Sequence, residues 1–163
     1  MRFIVIILLV FVVGFSCVKP KTKNPIPAIE FQDVYYLKKS EFTNKDTAVL
    51  KISYEDGDGN LFVDNTSDGS NIIFTPYIFD ALTNKFVGQI HPITRDTLRI
   101  SNTIKQPDNG YYKGKSIKGD IYMPMSEYRL NDNIKMIMFT GFVIDMKNNK
   151  SNVVSSPVYT LNY

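Results

Sequence analysis

The chain has 163 residues, of which 44% are hydrophobic and 21% charged, enough apolar content for one cored domain and too short for two ordinary ones. Lys and Arg number 19 against 16 Asp and Glu, and the +3 balance is scattered, so no basic footprint for nucleic acid exists. A single Cys and a single His exclude an intramolecular disulfide, a cysteine-cluster metal site and a His-pair zinc site.

The chain opens on Met1-Arg2, and residues 3–15 form an apolar run interrupted by Gly14. That length suits the hydrophobic core of a signal peptide and falls short of the roughly 18–20 residues that span a bilayer. Gly14-Phe15-Ser16 then leads to Cys17, the only cysteine. A signal that ends on a cysteine resembles a bacterial lipoprotein signal, which implies cleavage before Cys17 and lipidation of its thiol. Gly14 stands where that pattern usually carries Leu, and an ordinary secretory signal or a short uncleaved anchor is the competing reading. The next ten residues hold Lys19, Lys21 and Lys23 among Pro20, Pro25 and Pro27, the composition of a solvated, semi-extended tether. No acid follows the cysteine, which favours an outer-membrane lipoprotein facing the periplasm over one exported to the surface. The expected organisation is a signal over residues 1–16, a lipidated tether over 17–28 and one domain over 29–163.

From residue 28 onward the pattern is that of a β protein. Ala48, Leu50, Ile52 and Tyr54 alternate with Lys51, Ser53 and Glu55, the period of a half-buried strand. Further strands are expected over residues 72–79, 97–101, 116–123, 134–146 and 152–161. Pro76 predicts an edge or a bulge, and Pro157 an edge strand. Residues 134–146 are apolar at both parities, which predicts a strand covered on both faces with Gly141 at a bulge. Gly, Asn and Asp cluster between the strands, and no window carries a capped 3.6-residue period. The fold class is therefore all-β, a single antiparallel sandwich. Leu50, Ile52, Phe74, Ile137, Phe139 and Val143 are its expected core.

Two motifs carry a family resemblance: Ser53-Tyr-Glu-Asp-Gly-Asp-Gly-Asn-Leu61 and Val143-Ile-Asp-Met-Lys-Asn-Asn-Lys-Ser-Asn-Val153. Together with Gly114-Lys-Ser-Ile-Lys-Gly-Asp-Ile they resemble a group of Bacteroidetes-type lipoproteins with an immunoglobulin-like domain. The group's pattern is Asp-Gly-Asp-Gly-Asp-Leu-Gly early and Asp-Arg-Ala-Gly-Asn late. Asn60 here replaces the third acid, Phe62 the following Gly, and Met146-Lys147-Asn148 the Arg-Ala-Gly step. The resemblance implies an envelope location and an immunoglobulin-like sandwich, and it supplies no catalytic residue.

Asp56, Asp58 and Asn60 lie at i, i+2 and i+4, a spacing that lets a tight loop turn three oxygens toward one cation. An immunoglobulin-like strand order would bring Asp145, Asn149 or Asn152 to the same end, along with Asp64. The loop is no EF-hand, since Leu61 and Ser67 occupy the positions of the sixth-residue Gly and twelfth-residue Glu. Two readings stand: a calcium site of Asp56, Asp58, Asn60 and Asp145, or a polar turn built from residues that favour turns.

Other chemistry is sparse. His91 is the only imidazole and no Gly-x-Ser-x-Gly elbow exists, so no nucleophile–base pair is legible and a non-enzymatic role is expected. Tyr35-Tyr36, Tyr111-Tyr112 and Tyr122 suit either a sugar-stacking platform or ordinary sheet packing. Asp46-Thr47-Ala48 and Asp96-Thr97-Leu98 resemble a short bacterial O-glycosylation pattern. The expected function is that of a lipid-anchored envelope protein with a structural or binding role, its partners the membrane and an envelope protein or glycan. A glycan-binding accessory lipoprotein of an uptake system is the alternative.

Overall fold

The computed structural model describes residues 23–37, 47–63, 69–91, 93–106, 112, 114–125 and 135–160. The signal segment 1–16, Cys17, Asp46, Asp64, Ser67 and Tyr111 lie outside the described residues, as does the side chain of Tyr36. No helix of the described residues is long and apolar enough to cross a membrane.

Every described element is a strand, and every strand pair is antiparallel. One sheet holds β1 (Ala28–Leu37), β2 (Thr47–Asp56) and β6 (Ile117–Pro124) in the order β1-β2-β6. The second is built on β3 (Ile72–Asp80) and β7 (Met136–Val143). On its outer sides β3 carries β4 (Lys85–Gly88) and β5 (Ile100–Asn102), while β7 carries β8 (Val154–Ser155) and β9 (Tyr159–Thr160). Buried side chains from both sheets form one apolar cluster, a sandwich-like arrangement around a single core.

Alternation decides which face each strand buries. In β2, Ala48, Leu50 and Ile52 point inward, the last two fully shielded, while Lys51 and Ser53 face outward. Burying each such aliphatic chain contributes on the order of 2 kcal/mol. In β7, Ile137, Phe139 and Val143 are buried and Met136, Met138, Thr140 and Phe142 are half-buried, so one face is shielded and the other partly covered. Phe74 completes the six expected core residues, all of them buried. In β1 a register shift between Phe31 and Asp33 lets both Phe31 and Val34 pack on the core despite opposite parity.

Two local expectations are corrected. Gly141 makes no bulge, because the β3–β7 register runs unbroken from Ile72↔Val143 to Ile78↔Ile137. The residue is glycine because a Cβ there would collide with the Phe74 ring and the Ile73 carbonyl. Pro76 lies in a central strand, paired with Phe139, at the gap between the segments of β3 that pair with β5 and with β4. Its carbonyl accepts the N–H of Gln89 at 3.0 Å, and the gap removes the need for the N–H that proline lacks. Pro157 falls between β8 and β9, both of which pair with β7.

The registers place Ala28, Asp56, Ile72, Ile117 and Val143 at one end of the strands. The β3–β4 turn, with Leu82 fully exposed, lies at the other.

Candidate functional site

The end that carries Asp56 gathers most of the polar side chains singled out by the sequence. Asp56 closes β2 and is completely buried. Its Oδ2 accepts the N–H of Leu61 at 2.8 Å and its Oδ1 accepts the N–H of Asp58 at 3.3 Å, so the carboxylate organises the loop that follows it. Gly59 turns that loop with φ 69°, where a Cβ would meet the carbonyls of Tyr112 and Lys115. The Asp58 carbonyl accepts the N–H of Gly114 at 2.6 Å, which fixes the loop against the approach to β6.

Asp145 does the same for the turn after β7. Its Oδ1 accepts the N–H groups of Lys147 and Asn149 at 2.8 and 2.7 Å, and its Oδ2 accepts Asn149 Nδ2 at 2.8 Å. Asn148, in the same turn, adopts φ 65°, a conformation asparagine tolerates better than most residues.

The two loops are bonded together. The Asn60 carbonyl accepts the N–H of Met146 at 3.0 Å, and Lys147 Nζ donates to Asp58 Oδ2 at 2.7 Å. Asn60 Nδ2 donates to the same Oδ2 at 3.1 Å. Burial lifts the Asp56 carboxyl above its ordinary value and the neighbouring Asp58 charge adds to it, against the two backbone N–H groups. Lys147 is held in its charged form by Asp58 first, with Asp145 and Asp56 contributing. Asp58 Oδ1 and Asn60 Oδ1 are buried and have no hydrogen-bond partner. Among the described residues, no three or more His, Cys, Asp and Glu side chains are grouped so as to hold a metal ion. The structure thus brings Asp56, Asp58, Asn60 and Asp145 to one end, with Asp145 committed to its own turn.

Residues 23–27, which lead into β1, pack at this same end. Lys23 Nζ pairs with Glu55 Oε1 at 2.7 Å, and the Gly57 N–H donates to the Asn24 carbonyl at 3.1 Å. The Lys23 bond holds the Glu55 carboxyl below its ordinary value. Pro27 is buried, and the Asn152 side chain brackets Ile29 by accepting its N–H at 2.9 Å and donating to its carbonyl at 2.8 Å.

The remaining candidates are distributed elsewhere. His91 lies in the link after β4, where its Nδ1 accepts the N–H groups of Ile93 and Thr94 at 3.3 and 3.2 Å. Tyr112 and Tyr54 pack on Phe62, with ring centroids 5.4 and 5.8 Å from it. Tyr35 and Tyr122 instead stand exposed on the outer face of the β1-β2-β6 sheet, on either side of β2. Lys51 lies 5.7 Å from the Tyr122 ring centroid and pairs with Asp120 at 3.0 Å. Below them on that face a shallow hollow of about 550 Å³ is lined by Glu30, Ser53, Glu55, Lys118 and Asp120. Thr97 is exposed, and Thr47 opens β2.

Sequence reasoning missed Lys147, whose pairing with Asp58 spans 89 positions. It also missed Asn71, which accepts the Ile104 N–H at 2.7 Å and donates to the Leu61 carbonyl at 2.7 Å. The available signal was a lysine two residues after Asp145. Comparisons with protein-family models, with curated proteins and with solved structures find no match, so the functional reading rests on the chain itself.

Proposed function

We propose that the protein is a lipid-anchored, non-enzymatic component of the cell envelope whose immunoglobulin-like sandwich serves a structural or binding role. The observation that carries this reading is the placing of Cys17, the sole cysteine, between an apolar signal-like run and a Lys/Pro tether. Two or more acyl chains on one residue anchor stably, at about 0.8 kcal/mol per buried CH₂. The fastening of Lys23 and Asn24 to Glu55 and Gly57 fits a domain held at a defined distance from its anchor. Strand order supports the immunoglobulin-like assignment: first, second and sixth strands in one sheet, with the third and seventh central in the other. The non-enzymatic reading is supported by the use of His91 Nδ1 and the Asp145 carboxylate in their own turns. The absence of acids directly after Cys17 supports an outer-membrane lipoprotein facing the periplasm.

A second reading, glycan binding as an accessory to an uptake system, is favoured by one observation. Tyr35 and Tyr122 are exposed on one sheet face above a polar hollow, an arrangement of amphipathic rings and hydrogen-bonding groups that suits a sugar chain.

Metabolic labelling with an alkyne fatty acid tests the first reading. Wild-type chain should take up label and fractionate with the outer membrane, and Cys17→Ala should do neither. An immobilised oligosaccharide panel tests the second: retention of wild type but not of Tyr35→Ala/Tyr122→Ala would establish it, and no retention would remove it.

A further inference from the structure

We infer that the Asp56–Asn60 loop is a binding site for a divalent cation, calcium by its all-oxygen ligand set, and that the Lys147 ammonium competes with the ion for it. This inference is independent of the lipid anchor.

The primary observation is a pair of orphaned oxygens. Asn60 is 6% exposed, and its Oδ1 has no partner although its Nδ2 is bonded to Asp58 Oδ2. Asp58 Oδ1, on the other side of that 3.1 Å bond, is likewise buried without a partner. Two acceptor oxygens on adjoining head groups are therefore withdrawn from solvent with nothing to accept from, a costly arrangement unless a donor or cation reaches them. An oxygen that accepts a poor bond stands beside them: Asp56 Oδ1 is engaged by the N–H of Asp58 at 3.3 Å, and Asp56 is completely buried.

Charge points the same way. The carboxylates of Asp56, Asp58 and Asp145 act together on one ammonium, that of Lys147. A monovalent cation on a flexible stem, 64% exposed, leaves that cluster short of neutral and reaches one oxygen of Asp58. A small divalent ion takes several oxygens at once and neutralises more of the charge. Calcium accepts six to eight oxygens in flexible geometry, so two or three side-chain oxygens, well short of a full shell, describe a weak site. Sites on extracellular modules of that kind have Kd values of about 10⁻⁴–10⁻³ M. Asp58 Oδ1, Asn60 Oδ1 and Asp56 Oδ1 are the ligands, and Asp145, its oxygens already accepting three donors, contributes charge from behind.

The full chain in detergent, stripped with chelator, is titrated with calcium chloride while its Tm and heat of binding are followed, with sodium chloride at matched ionic strength as control. Wild type should show a saturable rise in Tm and a submillimolar to millimolar Kd. Lys147→Ala should bind several-fold tighter because the internal competitor is gone, and the isosteric Asp58→Asn should lose the response. No saturable response from both wild type and Lys147→Ala, as when an ordered water fills the gap, would overturn the inference. So would an unchanged response in Asp58→Asn. If Asp58→Asn does not fold, the exposed Lys147→Ala decides: a Kd equal to or weaker than that of wild type would overturn the competition and the site with it.

Discussion

The backbone N–H of Gly57 donates to the carbonyl of Asn24 at 3.1 Å, and a Cβ at Gly57 would strike that same carbonyl. A residue in the Asp/Gly loop is thus glycine because the backbone of Lys23 and Asn24 crosses it, a reason unrelated to metal binding. Gly57→Ala should destabilise the domain by about 1–3 kcal/mol, the usual cost of overpacking. Hydrogen exchange should show lost protection at position 57. Unchanged stability and protection would mean that the Asn24 segment does not close on this loop.

The same relationship would orient a domain lipidated at Cys17. Six residue steps separate Cys17 from Lys23, at most about 20 Å of chain, so a lipid on Cys17 would keep the Asp56 end near the bilayer. Met146 is exposed at that end and Leu82 is exposed at the other. With the lipidated chain in phosphatidylcholine/phosphatidylglycerol vesicles, a fluorophore on Met146→Cys should be quenched by headgroup-labelled lipid. The same fluorophore on Leu82→Cys should not. Equal quenching at both sites would contradict the orientation.

Packing makes a sharper demand at β7. Phe139→Ala removes a ring that is 2% exposed and should cost about 3–5 kcal/mol in chemical denaturation. Gly141→Ala adds one carbon against the Phe74 ring and should also destabilise, whereas an exposed change such as Leu82→Ala should lie within about 0.5 kcal/mol of wild type. Tolerance of Gly141→Ala would show that the two strands do not approach as closely as described.

Two neighbouring carboxyls should titrate in opposite directions. Glu55 sits below its ordinary value through Lys23, so the stabilisation it contributes is present above the ordinary carboxylate value and is lost as pH falls through the lowered one. Asp56 sits above its ordinary value through burial, so its contribution is greatest in acid and is lost as pH rises through the raised value. Carboxyl chemical shifts followed against pH should show Glu55 below the ordinary glutamate value and Asp56 above the ordinary aspartate value. Lys23→Ala should return Glu55 toward its ordinary value and leave Asp56 unmoved.

Much of this fold can be read from alternation, and the exceptions have physical reasons. β2 is legible because Ala48, Leu50 and Ile52 alternate with polar residues, and β7 because its stretch is apolar at both parities. β1 is hard to see because the register shift after Phe31 moves the apolar positions to the other parity at Val34. β4 is four residues long, too short for a period to register. Ser151 and Ser156 read as loop residues, yet their buried hydroxyls accept the N–H groups of Val143 and Phe139 at 3.0 and 2.9 Å, standing in for a neighbouring strand. At the candidate site, spacing finds Asp56, Asp58 and Asn60 because they share one loop. It cannot find Lys147, whose relation to Asp58 exists only once loops 89 positions apart are packed together.

The most direct test of the account is the intact mass of the mature protein isolated from its own membranes. The account predicts a chain that begins at Cys17 and carries the added mass of diacylglycerol on its thiol, released with the residues before it absent. A chain that begins at any other residue, or at Cys17 with no added acyl mass, would contradict it.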